Sequence, residues 1–258
     1  MTKNELKKIT ESLLETFLSA GSDALNIRKK GLKIIIKKDN TPVTNGDLFV
    51  NQKICKKIKE ITPNIPIISE ETVDINIENT FKNFWLIDPI DGTSDYMNGK
   101  DEFTLNAALI INLKPAIGII YAPAKDRLFY SYWEGNAYEK SNKKTIKLEN
   151  KKIKKEYGNI AVSNSSKPSK EILDLYKVNN IKKFTNMRSS FKFCVIASGE
   201  YDLYASGARA CEWDIAAGHA IVLHAGGSVT DHKGNEFKYG KKKFKNIDLL
   251  VKRSKNIK

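Results

Sequence analysis

The sequence contains few cysteines, few arginines and no long apolar run. Its three cysteines, Cys55, Cys194 and Cys211, stand singly among 258 residues, without the spacing of a zinc site or a disulfide framework. No apolar run approaches the roughly 20 residues needed to cross a bilayer. The N-terminal segment has acids among helically spaced apolar residues, which predicts an amphipathic helix and not a secretory signal. These features predict a cytoplasmic protein; peripheral binding to the cytoplasmic face of the inner membrane and homodimer formation stay open.

Arginine is scarce although the chain is strongly basic. Lysine and arginine number 44 against 30 acids, for a net charge of +14, yet five of these basic residues are arginines. Base reading and bidentate phosphate binding favour arginine, whereas the lysines are spread along the chain. We interpret the charge as a solvated, lysine-rich surface with no nucleic acid as an obligatory partner. Steering of an anionic substrate or weak nucleic-acid contact is the alternative.

The most informative segment runs from Trp85 to Thr93, where an apolar run ends in Asp88-Pro-Ile-Asp91-Gly-Thr. Two acids on one tight turn are unfavourable unless a cation lies between them, and carboxylate oxygens are the ligands that Mg²⁺ prefers. Gly92 allows the backbone to approach a ligand closely, and Thr93 offers a hydroxyl and an amide where a helix would start. The segment therefore predicts a site at which hard cations and a phosphate meet.

Two further segments place acids in similar positions. Ile67-Ile-Ser69 leads directly into Glu70 and Glu71, and Asp214 lies at the start of a helix of small residues. Each segment taken alone has a structural explanation: an Asx-type turn after the strand at Asp88, and a helix cap at Asp214. Four separate acids at strand ends and a helix start are harder to explain in this way, which favours one shared metal site.

In order and spacing, these motifs resemble the inositol monophosphatase-like family of metal-dependent phosphatases. The resemblance covers nearly the whole chain, and its segments are Pro42–Asp47, Ser69–Glu71, Trp85–Thr93 and Trp213–Gly218. Within the family, the chain is most similar to the bacterial 3′(2′),5′-bisphosphate nucleotidase branch. The segments that carry this second likeness are Asn98–Ile110, Gly118–Pro123, Ser189–Cys194 and Glu200–Tyr204.

The resemblance implies an αβαβα layered sandwich of α+β and α/β parts, with the active site between its halves and two or three Mg²⁺ per site. The implied metal ligands are Glu70, Asp88, the Ile90 carbonyl, Asp91 and Asp214. Asp47, Glu70 and Thr93 are the implied catalytic residues, and the Gly92 and Thr93 amides would hold the phosphate. Glu71 would orient the ligands or shape the side on which a third metal binds. Sensitivity to Li⁺ and a place in sulfur metabolism are also implied.

The branch likeness implies hydrolysis of the 3′-phosphate of adenosine 3′,5′-bisphosphate, or of its phosphosulfate analogue, to leave AMP or its sulfated form. Ser189, Ser190, Lys192 and Asp214 are the implied substrate contacts, with Lys192 or Arg188 against the 5′-phosphate. Arg188 departs from the branch, where a glycine is usual. The alternatives are an inositol monophosphatase or fructose-1,6-bisphosphatase activity on the same fold and, more remotely, a regulator that binds RNA or protein.

The resemblance implies one phosphatase unit over residues 1–258, and the apolar pattern predicts its elements. Its α+β half, 1–141, carries the metal motifs, and its α/β half, 157–258, carries Asp214 and the substrate-reading residues. The lysine-rich stretch 142–156 is the predicted boundary, Pro42 and Gly46 are predicted to form a turn, and 133–136 a hairpin. Helices are predicted at 3–27, 47–61, 169–176, 190–198 and 214–225. Strands are predicted near 32–37, 65–69, 84–87, 105–111, 115–121, 128–132, 137–139, 159–162, 183–185, 203–205 and 226–230.

Overall fold

The computed structural model describes residues 1–37, 40–75, 79–149, 159–254 and 257. The α-helices in these ranges are α1 (Lys3–Lys30), α2 (Asn45–Ile61), α3 (Thr93–Met97), α4 (Lys170–Val178), α5 (Phe191–Ala197) and α6 (Glu212–His224). The strands of the first half are β1 (Ile34–Ile36), β2 (Pro42–Thr44), β3 (Ile67–Ser69), β4 (Phe84–Asp91), β5 (Thr104–Ile111), β6 (Lys114–Ala122), β7 (Arg127–Trp133), β8 (Asn136–Ser141) and β9 (Lys144–Lys147). Those of the second half are β10 (Asn159–Ser163), β11 (Ile181–Asn186), β12 (Leu203–Ser206), β13 (Ser228–Thr230) and β14 (Leu249–Lys252).

The larger sheet has seven strands in the order β3-β4-β5-β6-β7-β8-β9, antiparallel except for the parallel pair β3 and β4. Helices α1 and α2 cover one of its faces. Helix α1 does so because Leu6, Leu13 and Phe17 form a buried stripe at helical spacing. A capping box between Thr2 and Glu5 satisfies the first turn. This packing makes the first two layers.

Helices α5 and α6 pack between the larger sheet and a second sheet of five strands, ordered β11-β10-β12-β14-β13. Helix α4 covers the outer face of that second sheet, with Ile172 and Tyr176 buried against it. The layers are thus helix, sheet, helix, sheet, helix, and the predicted αβαβα sandwich is confirmed. The central core contains residues of both halves, so their division at 142–156 stays a prediction.

Helix α6 comes unusually close to its neighbours because two glycines leave room. A Cβ on Gly218 would lie 2.2 Å from Cγ of Phe193 on α5, and one on Gly118 of β6 would lie 2.3 Å from the Ala217 carbonyl. Helix α6 is buried almost all round, so its sequence shows little helical periodicity. This close packing fixes the start of α6, which carries Asp214, against the larger sheet.

Most predicted elements are present within one to four residues of their predicted bounds, including the hairpin at Gly135. The predicted turn at Pro42 and Gly46 is wrong, because Pro42 begins β2 and Gly46 lies in the first turn of α2. Strand β9 occupies part of the predicted boundary, whose remainder from 150 to 156 lies outside the described residues. Strands β2, β9 and β14 were not predicted. None of the helices in the described part of the chain has the length and apolarity to cross a membrane.

Candidate active site

Strand β4 delivers the Asp88–Thr93 segment to the edge of the central core. The strand continues past its predicted end at Ile87 as far as Asp91. A bulge interrupts its pairing with β5 between Asp88 and Asp91. Pro89 has no N–H to give to the ladder at this bulge. Gly92 then adopts φ 91°, and a Cβ there would lie 2.8 Å from the Glu102 carbonyl. The chain can therefore turn sharply into α3 directly after Asp91.

Three carboxylates from separate elements converge beside this bulge. Oxygens of Glu70, Asp88 and Asp214 all lie within 4.8 Å of one another. Burial, reinforced by repulsion from neighbouring carboxylates that include Asp91, raises the pKa of Glu70 to about 7 and that of Asp214 to about 8. The same two causes hold the pKa of the fully buried Asp88 well above its usual range. Three of the four side chains predicted as metal ligands are thus brought together at an energetic cost.

The arrangement fits hard cations. Oδ1 of Asp88 is buried and has no hydrogen-bond partner among the described residues, and a buried carboxylate oxygen without a partner is strongly unfavourable. A divalent ion would pair with that oxygen and offset the repulsion that raises the three pKa values. Oxygen-only donors at one point suit Mg²⁺ better than thiolate- or imidazole-binding metals. The chemistry of Glu70, Asp88 and Asp214 thus fits a Mg²⁺ site.

Asp47 and Thr93 meet at the edge of this cluster. Oγ1 of Thr93 lies 3.3 Å from Oδ1 of Asp47 and 3.0 Å from the Ile90 carbonyl, and its single proton is donated to one of them. Oδ2 of Asp47 accepts from the Thr44 amide at 2.8 Å and the Thr44 hydroxyl at 2.5 Å. Burial raises the pKa of Asp47, and the Thr44 contacts act against that rise. Thr44 therefore locks Asp47 in place, a contact that its capping-box position in the sequence signals.

Ser190 is tied to the predicted metal ligands. Its Oγ lies 2.6 Å from Oδ2 of Asp91 and 2.6 Å from the Asp214 carbonyl, and it accepts from Nδ2 of Asn106 at 3.1 Å. Ser190 is 2% exposed. These contacts give Ser190 a supporting place behind Asp91, and its side chain also lines the cavity beside Asp91 and Asp214. The substrate contact at Ser190 stays a prediction beside this supporting role.

Lys37 pairs with the two adjacent glutamates. Its Nζ lies 2.7 Å from Oε2 of Glu71 and 3.8 Å from Oε1 of Glu70. Burial disfavours the charged amine, but the two glutamates outweigh that effect and raise the pKa of Lys37. The Glu71 carboxylate is thus held by a cation, and its role beside the metal ligands stays a prediction. Sequence reasoning missed Lys37, since a lysine in a lysine-rich chain gives no distinguishing signal.

A cavity of about 400 Å³ opens beside Asp91, Gly92 and Asp214. Ser189, predicted to contact substrate, lies on its wall. The cavity is also lined by the cationic side chains Arg188, Lys192 and Arg209. Acids at one part of the wall and cations at another suit a substrate with more than one anionic group. Sequence reasoning named Arg188 and Lys192 but missed Arg209, which lies outside every motif used above.

Comparisons with known proteins agree with this architecture. The sequence profile of the inositol monophosphatase family matches residues 3–253. A 3′(2′),5′-bisphosphate nucleotidase CysQ from Buchnera aphidicola is 34% identical over 239 residues, which cover 92% of this chain and 89% of that protein. The crystal structure of CysQ from Bacteroides thetaiotaomicron superposes with a TM-score of 0.76 at 30% identity and covers 94% of this chain and 96% of that one. An IMPase/NADP phosphatase complexed with Mg²⁺ and phosphate has a similar fold, with a TM-score of 0.77 at 18% identity over 96% of this chain and 91% of that one.

Proposed function

The chain belongs to the inositol monophosphatase family, and we propose that it is a Mg²⁺-dependent 3′(2′),5′-bisphosphate nucleotidase. Its proposed reaction removes the 3′-phosphate of adenosine 3′,5′-bisphosphate, or of the 5′-phosphosulfate analogue, by in-line attack of water. The observation that carries the proposal is the convergence of Glu70, Asp88 and Asp214 within 4.8 Å beside a cavity that cations also line. The names and similarity of the CysQ relatives support the nucleotide substrate over a sugar phosphate.

Glu70, Asp88, the Ile90 carbonyl, Asp91 and Asp214 would hold the ions, two or three in number. When bound, Mg²⁺ supplies positive charge to the attacking and leaving oxygens and lowers the pKa of water. Bound cations also offset the repulsion among these carboxylates, which are otherwise forced together by the fold. The number of ions bound without substrate, two or three, belongs to the same proposal.

The chain's own groups orient the attacking water. When Thr93 donates its proton to Asp47, its oxygen keeps lone pairs that can accept a hydrogen bond from the water. In this proposal the Glu70 carboxylate would accept the water's second proton. Because Thr44 donates twice to Asp47, the Asp47–Thr93 pair stays aligned without substrate.

The remaining groups bind the ester. The amides of Gly92 and Thr93 lie at the start of α3 and would donate to the phosphate oxygens. Because Gly92 has no Cβ, a phosphate can come close to this backbone. Asp214 lies on the cavity wall as well as in the acidic cluster, so it can also accept from a hydroxyl of the substrate. Ser189, Ser190 and Lys192, on the same wall, are the other predicted substrate contacts.

A phosphate-release panel with Mg²⁺ tests the proposal. Adenosine 3′,5′-bisphosphate, inositol 1-phosphate and fructose 1,6-bisphosphate are compared by kcat/KM. The nucleotide is expected to be the best substrate, and adenosine 3′,5′-bisphosphate is expected to exceed 3′-AMP by about tenfold to a hundredfold. A higher kcat/KM for either sugar phosphate would replace the nucleotidase assignment with the corresponding sugar phosphatase.

A further inference from the structure

The three cations on the cavity wall are not equally available to a substrate. Nζ of Lys192 donates to the Ser189 carbonyl and lies 5.3 Å from the ring centroid of Tyr204. The Lys192 side chain is buried, and burial lowers its pKa, with the nearby Arg209 charge acting in the same direction. The Lys192 ammonium group is therefore already engaged by the Ser189 carbonyl and the Tyr204 ring.

The Lys192 contact has a clear local purpose. Ser189 adopts φ 52°, which is unfavourable for a residue with a Cβ. A positively charged donor on its carbonyl stabilises that turn, and the turn sets Ser190 against Asp91. Loss of Lys192 would disturb the support of the metal ligands, so its effect on turnover cannot report a substrate contact alone.

Arg188 is also engaged. Its NH1 lies 3.7 Å from Oδ1 of the buried Asp95, and its backbone N–H donates to the Glu102 side chain at 3.0 Å. Asp95 has a second cation in Lys100, at 3.1 Å. If Arg188 moved away, Asp95 would still pair with Lys100. To bind a substrate anion, however, Arg188 must first give up its ion pair with Asp95.

Arg209 differs from both. It is exposed, it lines the cavity between β12 and α6, and it has no ion pair or side-chain hydrogen bond with any residue in the described ranges. Its guanidinium is close enough to the cavity interior to influence the pKa values of Lys192 and Tyr204. A planar guanidinium with five donors matches the geometry of a phosphate or sulfate group.

We propose that Arg209 forms a second anion subsite of the cavity and binds the substrate's remote phosphate or phosphosulfate, while Lys192 positions the Ser189–Ser190 turn. This inference rests on the proposed nucleotidase function, because it needs a substrate with an anion away from the reacting ester. It replaces the expectation that Lys192 or Arg188 is the main contact. The subsite discriminates between nucleotides that carry the remote anion and those that lack it.

Paired substrates test the subsite. Wild type, Arg209→Ala, Arg209→Lys and Lys192→Met are assayed with adenosine 3′,5′-bisphosphate and with 3′-AMP at saturating Mg²⁺. Arg209→Ala should lower kcat/KM for the bisphosphate by about tenfold to a hundredfold and leave 3′-AMP within about twofold. Arg209→Lys should retain part of the preference because it keeps the charge. Lys192→Met should lower kcat/KM for both substrates and raise the Mg²⁺ concentration needed for half-maximal rate.

Binding without turnover gives an independent readout. Calorimetry with AMP, which carries only the remote phosphate, should show a loss of about tenfold or more in affinity for Arg209→Ala, while affinity for adenosine stays unchanged. Lys177→Ala on the exposed surface of α4 removes one charge away from the cavity and should alter neither ligand's affinity.

The outcomes separate the two claims. If wild type prefers the bisphosphate and Arg209→Ala keeps that preference, the subsite is wrong and the nucleotidase proposal stands. If Arg209→Ala lowers both substrates equally, Arg209 supports the site in general and the subsite is again wrong. If wild type shows no preference for the bisphosphate over 3′-AMP, the nucleotidase proposal itself falls.

Discussion

Replacement of Ser190 by alanine tests whether the two halves of the site are joined through one hydroxyl. Ser190 at the start of α5 contacts Asp91 from the end of β4 and the backbone of Asp214 on α6, both at 2.6 Å. The negative charge makes Asp91 the better acceptor of its single proton. The substitution also leaves the Asn106 amide, which donates to Ser190, without this partner.

The size of the effect follows from these contacts. A hydrogen bond to a charged group contributes about 1.5–3 kcal/mol, and a buried donor left unpaired costs about 1–3 kcal/mol. Since part of this is recovered by relaxation, we expect Ser190→Ala to lower the free energy of unfolding by about 2–4 kcal/mol. At about 2–4 °C per kcal/mol for a chain of this size, Tm should fall by roughly 5–15 °C. Loss of a group that orients a metal ligand should weaken Mg²⁺ affinity by about tenfold to a hundredfold.

Denaturant unfolding and Mg²⁺ titration of the same samples measure both effects. Ser198→Ala is the matched control, because Ser198 lies at the other end of α5 and its hydroxyl contacts the Glu200 side chain near the surface. The control should change neither Mg²⁺ affinity nor turnover. If Ser190→Ala left stability and Mg²⁺ affinity unchanged and raised only the substrate KM, the supporting role would be refuted and the substrate contact favoured.

Three further predictions concern the acidic cluster. Asp91→Asn should fold, by circular dichroism, and lose nearly all turnover, because it keeps the side chain's shape without its charge; more than a tenth of the wild-type rate at saturating Mg²⁺ would contradict this. Because Glu70 and Asp214 bind protons more tightly in the metal-free folded protein than when unfolded, Tm in EDTA should fall as pH rises from about 5 to about 8. Mg²⁺ should then raise Tm more at the upper end of that pH range than at the lower end. A Tm in EDTA that rises with pH would contradict the raised pKa values. Millimolar Li⁺ should inhibit phosphate release by competing at the weaker cation site with half the charge, and an unchanged rate would count against that competition.

Several parts of the fold and site follow from the sequence because their signals are local. Helix α1 shows its buried stripe at a spacing of three to four residues. The Trp85–Thr93 segment combines an apolar strand with a proline, two acids and a glycine, all of which act within one bulge and turn. Strands β9 and β14 escaped prediction: β9 is exposed along its whole length, and β14 is a four-residue run that periodicity cannot classify.

Tertiary structure decided which groups meet and which remain available. Ser190 and Asp91 are 99 residues apart in sequence, and no local pattern shows that the Ser190 hydroxyl would donate a hydrogen bond to the Asp91 carboxylate. The raised pKa values of Glu70 and Asp214 arise from burial and from repulsion by neighbouring carboxylates, and this environment exists only after the layers pack. Lys192 and Arg209 are both cations in the sequence; packing alone buries one against Ser189 and leaves the other facing the cavity. Residue types and their order thus determined the chemistry that the site can perform, whereas long-range packing determined which side chains are free to perform it.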